Sequence, residues 1–453
     1  MRLINTRTLQ FEEFDHPGTP PYAILSHTWG EGELTYQDVQ TSKTRIQGKE
    51  YGYMKLENTL RQAVVDGLRY CWIDTCCIDK ANYSELSEAI NSMYNWYKEA
   101  HKCYAYLADV ISGEDLSRPD SSFKKSRWFT RGWTLQELLA PKEVVFFDAH
   151  WKRIGDRKDL PKTISDITRI PEAILLGADI HQASVAERMS WASQRQTTKP
   201  EDIAYCLMGI FDIHMPLLYG ERESGAFKRL QEEILKESDD TSIFAWATSR
   251  HGVDSEIAEN ETCALLAQSP KLFAESHDVV QADMPVVDGY VPGIRTPIVL
   301  NNKGLHLALP LEKAPNGRTA AILGCTKRGK SHQLLAIWLQ DVSANGGRYV
   351  RVRGFDLIRL SLVTIGHSFE FRMICTERRI FNHRQRVLLS DHLNSGAKGL
   401  MPQSTNMDAY ARNKSRLAQS EAVFGRRFYS VQAVSFNETT FNSEQVTVWN
   451  ENV

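Results

Sequence analysis

A chain of 453 residues is too long for one hydrophobic core, so two or three domains are expected. Its 42% apolar and 24% charged residues exclude a disordered chain, and a net charge of −2 offers no overall polyelectrolyte drive toward nucleic acid or anionic lipid, while leaving room for a local basic patch. No stretch approaches the roughly 20 apolar residues that cross a bilayer. The opening residues Met1–Arg7 lack a signal-peptide core, and eight scattered cysteines suit a reducing cytoplasm better than a disulfide framework.

In chain order, Tyr22–Ser26 is a short apolar run that leads into the turn-forming Trp29–Gly32. Apolar residues at Leu56, Leu60, Val64 and Leu68 predict a helix. Tyr70–Asp74 reads as a buried strand. Asn82 or Ser84 caps the next helix, with Glu85 in its first turn, where the backbone dipole favours an acid. Its buried face is expected at Leu86, Ala89 or Ile90, Met93 and Tyr97. Cys103–Leu107 is a strand, Trp133–Leu139 a short helix stopped by Pro141, and Val144–Phe147 another strand. Apolar strands alternating with helices predict an α/β domain over residues 1–154, a parallel sheet wrapped by helices on both faces. Such sheets bind ligands beyond the carboxyl ends of their strands, which puts the segments beginning at Ser26, Asp74 and Asp109 on one functional edge.

Residues 155–248 read as a helical extension, with amphipathic stretches at Ala204–Phe211 and Ala226–Leu235 on either side of Pro216. Residues 249–453 read as a β-rich domain, from short runs at Leu305–Leu311, Thr319–Gly324, Gln333–Leu339, Tyr349–Val352 and Val446–Trp449. Within it, Gly324–Ser331 satisfies the P-loop pattern. A P-loop needs a helix after it, whereas Leu334–Leu339 is strand-like, so the segment reads as a hairpin turn. Cys71, Cys76, Cys77, His101 and Cys103 contain no Cys-x-x-Cys pair, and residues alternating along a strand face opposite sides, so no metal site is expected.

Three blocks are more specific: Tyr22-Ala-Ile-Leu-Ser-His-Thr-Trp-Gly30, Cys71-Trp-Ile-Asp-Thr-Cys-Cys-Ile-Asp79 and Arg131-Gly-Trp-Thr-Leu-Gln-Glu-Leu138. In this order they resemble the three signature motifs of the fungal heterokaryon-incompatibility (HET) family. A fourth block, from Met189–Ala192 through Thr197–Asp202 to Met215–Gly220, is similar to the helical extension of many members. The resemblance implies a cytoplasmic effector of cell death in vegetative incompatibility or innate immunity, with a possible incompatibility partner protein and a homo-oligomer formed on activation. HET domains in turn resemble TIR domains, some of which hydrolyse NAD at the nicotinamide–ribose bond. The strands Ile24–Ser26, Trp72–Asp74 and Tyr104–Leu107 fit that TIR/flavodoxin-like fold in order. In NAD-cleaving TIR domains the essential glutamate stands in Trp-x-x-x-Glu-Leu, here Trp133–Leu138, with Thr134 where a cysteine is usual. The resemblance thus implies Glu137 as the catalytic residue and NAD as substrate, with no bound cofactor.

Breaking that bond passes through an oxocarbenium-like transition state, and nicotinamide leaves readily. The site therefore needs one carboxylate near the ribose and no general acid. An i, i+4 spacing sets Trp133 and Glu137 on one helix face, a flat ring beside a carboxylate. On pattern alone, Glu137 also fits an exposed helix glutamate and Trp133 a core residue. Ser26, His27 and Trp29 follow the first strand. Amides and the hydroxyl in such a turn can hold phosphate, the imidazole can contact it, and the indole can stack on adenine; a purely structural turn is the alternative. Asp74 is placed to hydrogen-bond a ribose or to cap the loop behind it. The competing function is a non-catalytic adaptor of the same fold that triggers death by assembly alone.

Overall fold

All six residues of Tyr22–His27 are buried, as in a strand flanked on both edges and covered on both faces. The computed structural model describes residues 1–15, 18–41, 46–111, 113–247, 262–282, 298–313, 318–343, 347–352, 357–361 and 370–376. Among these residues, seven strands form the first sheet: β1 (Arg2–Asn5), β2 (Phe11–Glu13), β3 (Tyr22–His27), β4 (Tyr70–Trp72), β5 (Lys102–Tyr106), β6 (Val144–Phe147) and β7 (Arg153–Asp156). Their spatial order is β2-β1-β4-β3-β5-β6-β7. The inner four are parallel and follow a doubly wound order, second-first-third-fourth.

The edges depart from the expected all-parallel sheet. β1 pairs antiparallel with β2 and β4, and β7 pairs antiparallel with β6. The links 6–10 and 148–152 explain two of these pairings. Each is far too short for a crossover helix, so it can only close a hairpin.

Helix Glu50–Val65 joins β3 to β4, helix Tyr83–Glu99 joins β4 to β5, and helix Thr134–Leu139 lies between β5 and β6. The first connection runs one way across the sheet and the other two run the opposite way. Right-handed crossovers then place the first helix on one face and the other two together on the second face. Helix Glu50–Val65 buries Leu56, Leu60 and Ala63 but leaves Val64 53% exposed, unlike the stripe read from sequence. At 3.6 residues per turn, Ala63 falls back under Leu56 while Val64 turns well away from it. Helix Tyr83–Glu99 follows the sequence reading more closely. The Asn82 side chain accepts from the backbone N–H groups of Ser84 and Glu85, and Ala89, Ile90, Met93 and Tyr97 are buried. Asn82→Ala is expected to cost about 1 kcal/mol, read as a lower urea midpoint with an unchanged slope.

The described residues all belong to one compact unit. Within the extension, 204–211 is not one amphipathic helix. Asp202–Tyr205 is a short α-helix and Met208–Ile210 a 3-10 turn. Gly209 lies so close to the neighbouring helix that a Cβ there would stand 2.1 Å from the Cβ of Tyr94. Arg222–Glu237 is the long helix, buried at Ala226, Phe227, Leu230, Ile234 and Leu235.

The region that follows is β-rich, as expected. Gly304–Lys313 pairs antiparallel with Thr319–Ile322 and Glu370–Thr376, and Gln333–Asp341 with Thr319–Ile322 and Arg348–Val352. The P-loop-like segment runs from strand Cys325–Lys327 to strand Gln333–Asp341 through a turn with Gly329 at φ 73°. A strand follows it where a P-loop has a helix, as the hairpin reading requires. Val446–Trp449 lies outside the described residues.

Candidate active site

A cavity of about 280 Å³ opens at the carboxyl ends of β3 and β4. β3 ends in Ser26 and His27, which as neighbours on a strand point to opposite sides and serve different partners. Ser26 is fully buried. Its hydroxyl donates to Glu137 Oε2 at 2.5 Å and accepts from Trp128 Nε1 at 2.8 Å. Expected at the ligand, it stands behind Glu137 instead and fixes that carboxyl group. His27 does face the cavity, its Nε2 3.0 Å from Asp74 Oδ1. A carboxylate only accepts, so Nε2 carries the proton, while Nδ1 is buried without a partner among the described residues.

Asp74 opens the short helix after β4. Its Oδ2 accepts from Trp29 Nε1 at 2.9 Å, and Lys80 Nζ lies 3.8 Å from the same oxygen. Burial works against its charge. The Lys80 ammonium, then His27 and the Trp29 indole, outweigh burial and hold the carboxyl well below the usual carboxylate range.

Trp133 and Glu137 stand one helical turn apart, and both line the cavity. Glu137 is 6% exposed, which rules out the solvated glutamate that its pattern alone allowed. Burial pushes its carboxyl up to about 8, and the charge of Asp74 adds to the rise; Ser26, Arg131 and Tyr97 pull the other way. Trp133 Nε1 donates to Asp202 Oδ2 at 3.2 Å, and Tyr219 donates to Asp202 Oδ1 at 3.0 Å. Ile78, Leu86, Ile90 and Met93 supply apolar lining, and Thr198, Lys199, Asp202 and Tyr219 line the cavity from the extension.

The extension is fastened to the motif before Glu137 by backbone bonds. Gly132 N donates to Gln196 O at 2.8 Å, and Gln196 N to Thr130 O at 2.7 Å. A Cβ on Gly132 would stand 2.5 Å from Thr197 Cγ2, so this approach requires glycine. Thr134 is structural here. It donates to the Trp128 carbonyl at 2.5 Å and accepts from Arg195 Nη1 at 2.9 Å.

Five residues singled out from sequence, His27, Trp29, Asp74, Trp133 and Glu137, thus line one cavity, and Ser26 supports it from behind. Asp109, on the same edge, takes no part: it accepts from the Ser126 hydroxyl and the Arg127 amide. Sequence reasoning missed Lys80, Tyr97, Arg131, Lys199, Asp202 and Tyr219 as lining residues. Arg131 opens the third motif, and Lys199, Asp202 and Tyr219 stand in the fourth block, so a signal existed for those four. The arrangement offers an apolar slot beside an ionised carboxylate, ending at a carboxyl group that exchanges its proton near neutrality. This suits a flat cationic ring and chemistry at the atom attached to it.

Residues 22–117 match the family described as heterokaryon incompatibility protein (HET), and residues 225–287 match a domain of unknown function, DUF8212. A vegetative incompatibility protein of Podospora anserina, HET-E-1, is 50% identical over 224 residues, 48% of this chain. The shared segment makes up 16% of that relative's length. No solved structure matches the chain.

Proposed function

We propose that this chain, which is a fungal HET-domain protein, is an effector of cell death in heterokaryon incompatibility, and that it cleaves the nicotinamide–ribose bond of NAD at Glu137. The observation that carries the reading is the buried carboxyl of Glu137, aligned by Ser26 and Trp128 and exposed only toward a cavity at the ligand edge of the sheet. The TIR-like kinship belongs to the same proposal, supported by the second-first-third-fourth strand order and by Trp133-x-x-x-Glu137-Leu138.

In this mechanism the nicotinamide ring enters against the apolar lining of Ile90 and Met93, with the ribose over Glu137. The positive ring favours the ionised carboxyl, so binding releases the proton that burial had retained. The carboxylate then faces the positive charge that develops on the ribose as the C–N bond breaks. Nicotinamide departs as a neutral base with the bonding electron pair. Water adds to the sugar carbon and loses a proton to Glu137 or to solvent, giving ADP-ribose. Asp74, kept ionised by Lys80 and His27, accepts a ribose hydroxyl.

The direct test is nicotinamide release from NAD by the purified chain, concentrated to favour the homo-oligomer. Release that disappears in Glu137→Ala supports the reading. Cell killing by overexpressed Glu137→Ala would replace it with assembly-driven signalling that needs no catalysis.

A further inference from the structure

We infer that Lys80, Arg131 and Lys199 form a phosphate site at the mouth of the cavity, which selects ligands carrying a phosphate ester, a diphosphate above all. This deepens the proposed reading of the cavity, and the choice of a dinucleotide as ligand rests on that reading.

The three cations come from three separate segments: the loop after the short helix Asp74–Cys77, the residue opening the third motif, and the extension. Each is placed over an aromatic ring. Lys80 Nζ is 3.6 Å and Arg131 Cζ 5.5 Å from the centre of the Trp29 ring, and Lys199 Nζ is 3.8 Å from that of Tyr219. Among the described residues no ion pair engages Arg131 or Lys199. Arg131 reaches only the Thr198 hydroxyl, at 3.5 Å, and the oxygens of Asp202 near Lys199 already accept from Trp133 and Tyr219. Like charges gathered at a concave rim repel one another, and the charge of Arg131 opposes that of Lys80. A multiply charged anion relieves that repulsion.

The charges are also ordered along the cavity. Of the charged lining residues, the acid Glu137 is buried and Asp74 half-buried, whereas Lys80 and Lys199 are exposed and Arg131 half-buried. A molecule with a cationic ring at one end and a diphosphate further along has the complementary order. In and before the turn after β3, where sequence reasoning placed phosphate, two donors are already engaged: the Gly30 amide donates to Glu33 at 2.8 Å and the Ser26 hydroxyl to Glu137. Phosphate therefore belongs on the side chains at the rim. Since Lys199 belongs to the extension, a bound phosphate ties the extension to the α/β sheet.

The test is isothermal titration of the full chain with ADP-ribose, which has the diphosphate but no scissile bond, and with adenosine as the phosphate-free control, at two salt concentrations. ADP-ribose is expected to bind roughly 30-fold tighter than adenosine and to weaken with salt. Lys199→Ala and Arg131→Ala should each weaken ADP-ribose about 10-fold and flatten its salt dependence, and Lys199→Arg should recover most of the loss. ADP-ribose binding no tighter than adenosine, or a Lys199→Ala loss equal for both ligands, overturns the site. If ADP-ribose binds as expected while the wild-type chain releases no nicotinamide, the phosphate site stands and bond cleavage falls. If nicotinamide is released but ADP-ribose binding ignores these charges, the phosphate site alone is wrong.

Discussion

Glu137→Gln is expected to reduce nicotinamide release by roughly 1000-fold or more while making the folded chain harder to melt at pH 8. The two effects share one cause. Glu137 is 6% exposed, and burial raises its carboxyl from the ordinary 4.5 to about 8. Between those values the folded chain keeps a proton that the unfolded chain has released, so stability falls as pH rises across that window. Below about 4.5 both states are protonated and no penalty exists. Glutamine keeps nearly the same shape and never ionises. Its advantage should therefore grow from pH 5 to pH 8 and then level off, reaching on the order of 2 kcal/mol or more. Parallel melting curves of both proteins at pH 5 and pH 8 measure it. If glutamine confers no gain in Tm at pH 8, the carboxyl is not strained by its surroundings. Under the proposed NAD cleavage, kcat/KM should rise with pH toward a plateau above about 8, because the free chain must lose the Glu137 proton before the carboxylate can act.

Gly209→Ala is expected to lower stability by about 3 kcal/mol. The new Cβ would meet Tyr94 at its Cβ (2.1 Å), Cγ (2.4 Å) and Cδ2 (2.8 Å). Tyr94 Cβ is fixed to its backbone and cannot swing aside, so the turn Met208–Ile210 must withdraw from helix Tyr83–Glu99. That helix supplies Leu86, Ile90, Met93 and Tyr97 to the cavity, so nicotinamide release should fall along with the urea midpoint. Removing the partner's Cβ should relieve the clash. Tyr94→Gly is expected to cost less in the Gly209→Ala background than in the wild type. A loss below about 1 kcal/mol for Gly209→Ala would mean the two elements are less tightly apposed than described.

The parts of the fold that could be read from sequence are those where one short segment carries its own pattern. Tyr22–Leu25, Tyr70–Trp72 and Val144–Phe147 are apolar throughout because they lie inside the sheet, and Asn82 precedes its helix as a cap should. The antiparallel edges were not legible: β1 and β2 are short and mixed in composition, and β2 is largely solvated. Residues 204–211 carry a helical pattern that the packing of Gly209 overrides. At the site, Trp133 and Glu137 were found together because one helix holds both. The Ser26–Glu137 bond joins residues 111 apart in sequence, and no local pattern reports it. Lys80 and Lys199 are exposed loop residues whose significance arises only from the rings and walls that the fold brings to them.

The backbone splice between Gly132 and Gln196 has a consequence for comparing such chains. The recognised family segment stops at residue 117, before Arg131, Trp133 and Glu137, and long before Asp202 and Tyr219. Two chains could agree throughout that segment and differ in every group that meets a ligand on the far wall. The family segment and the cavity overlap at His27, Trp29, Asp74, Ile78, Lys80 and helix Tyr83–Glu99. Function should therefore be inherited, or lost, largely with residues 131 to 219.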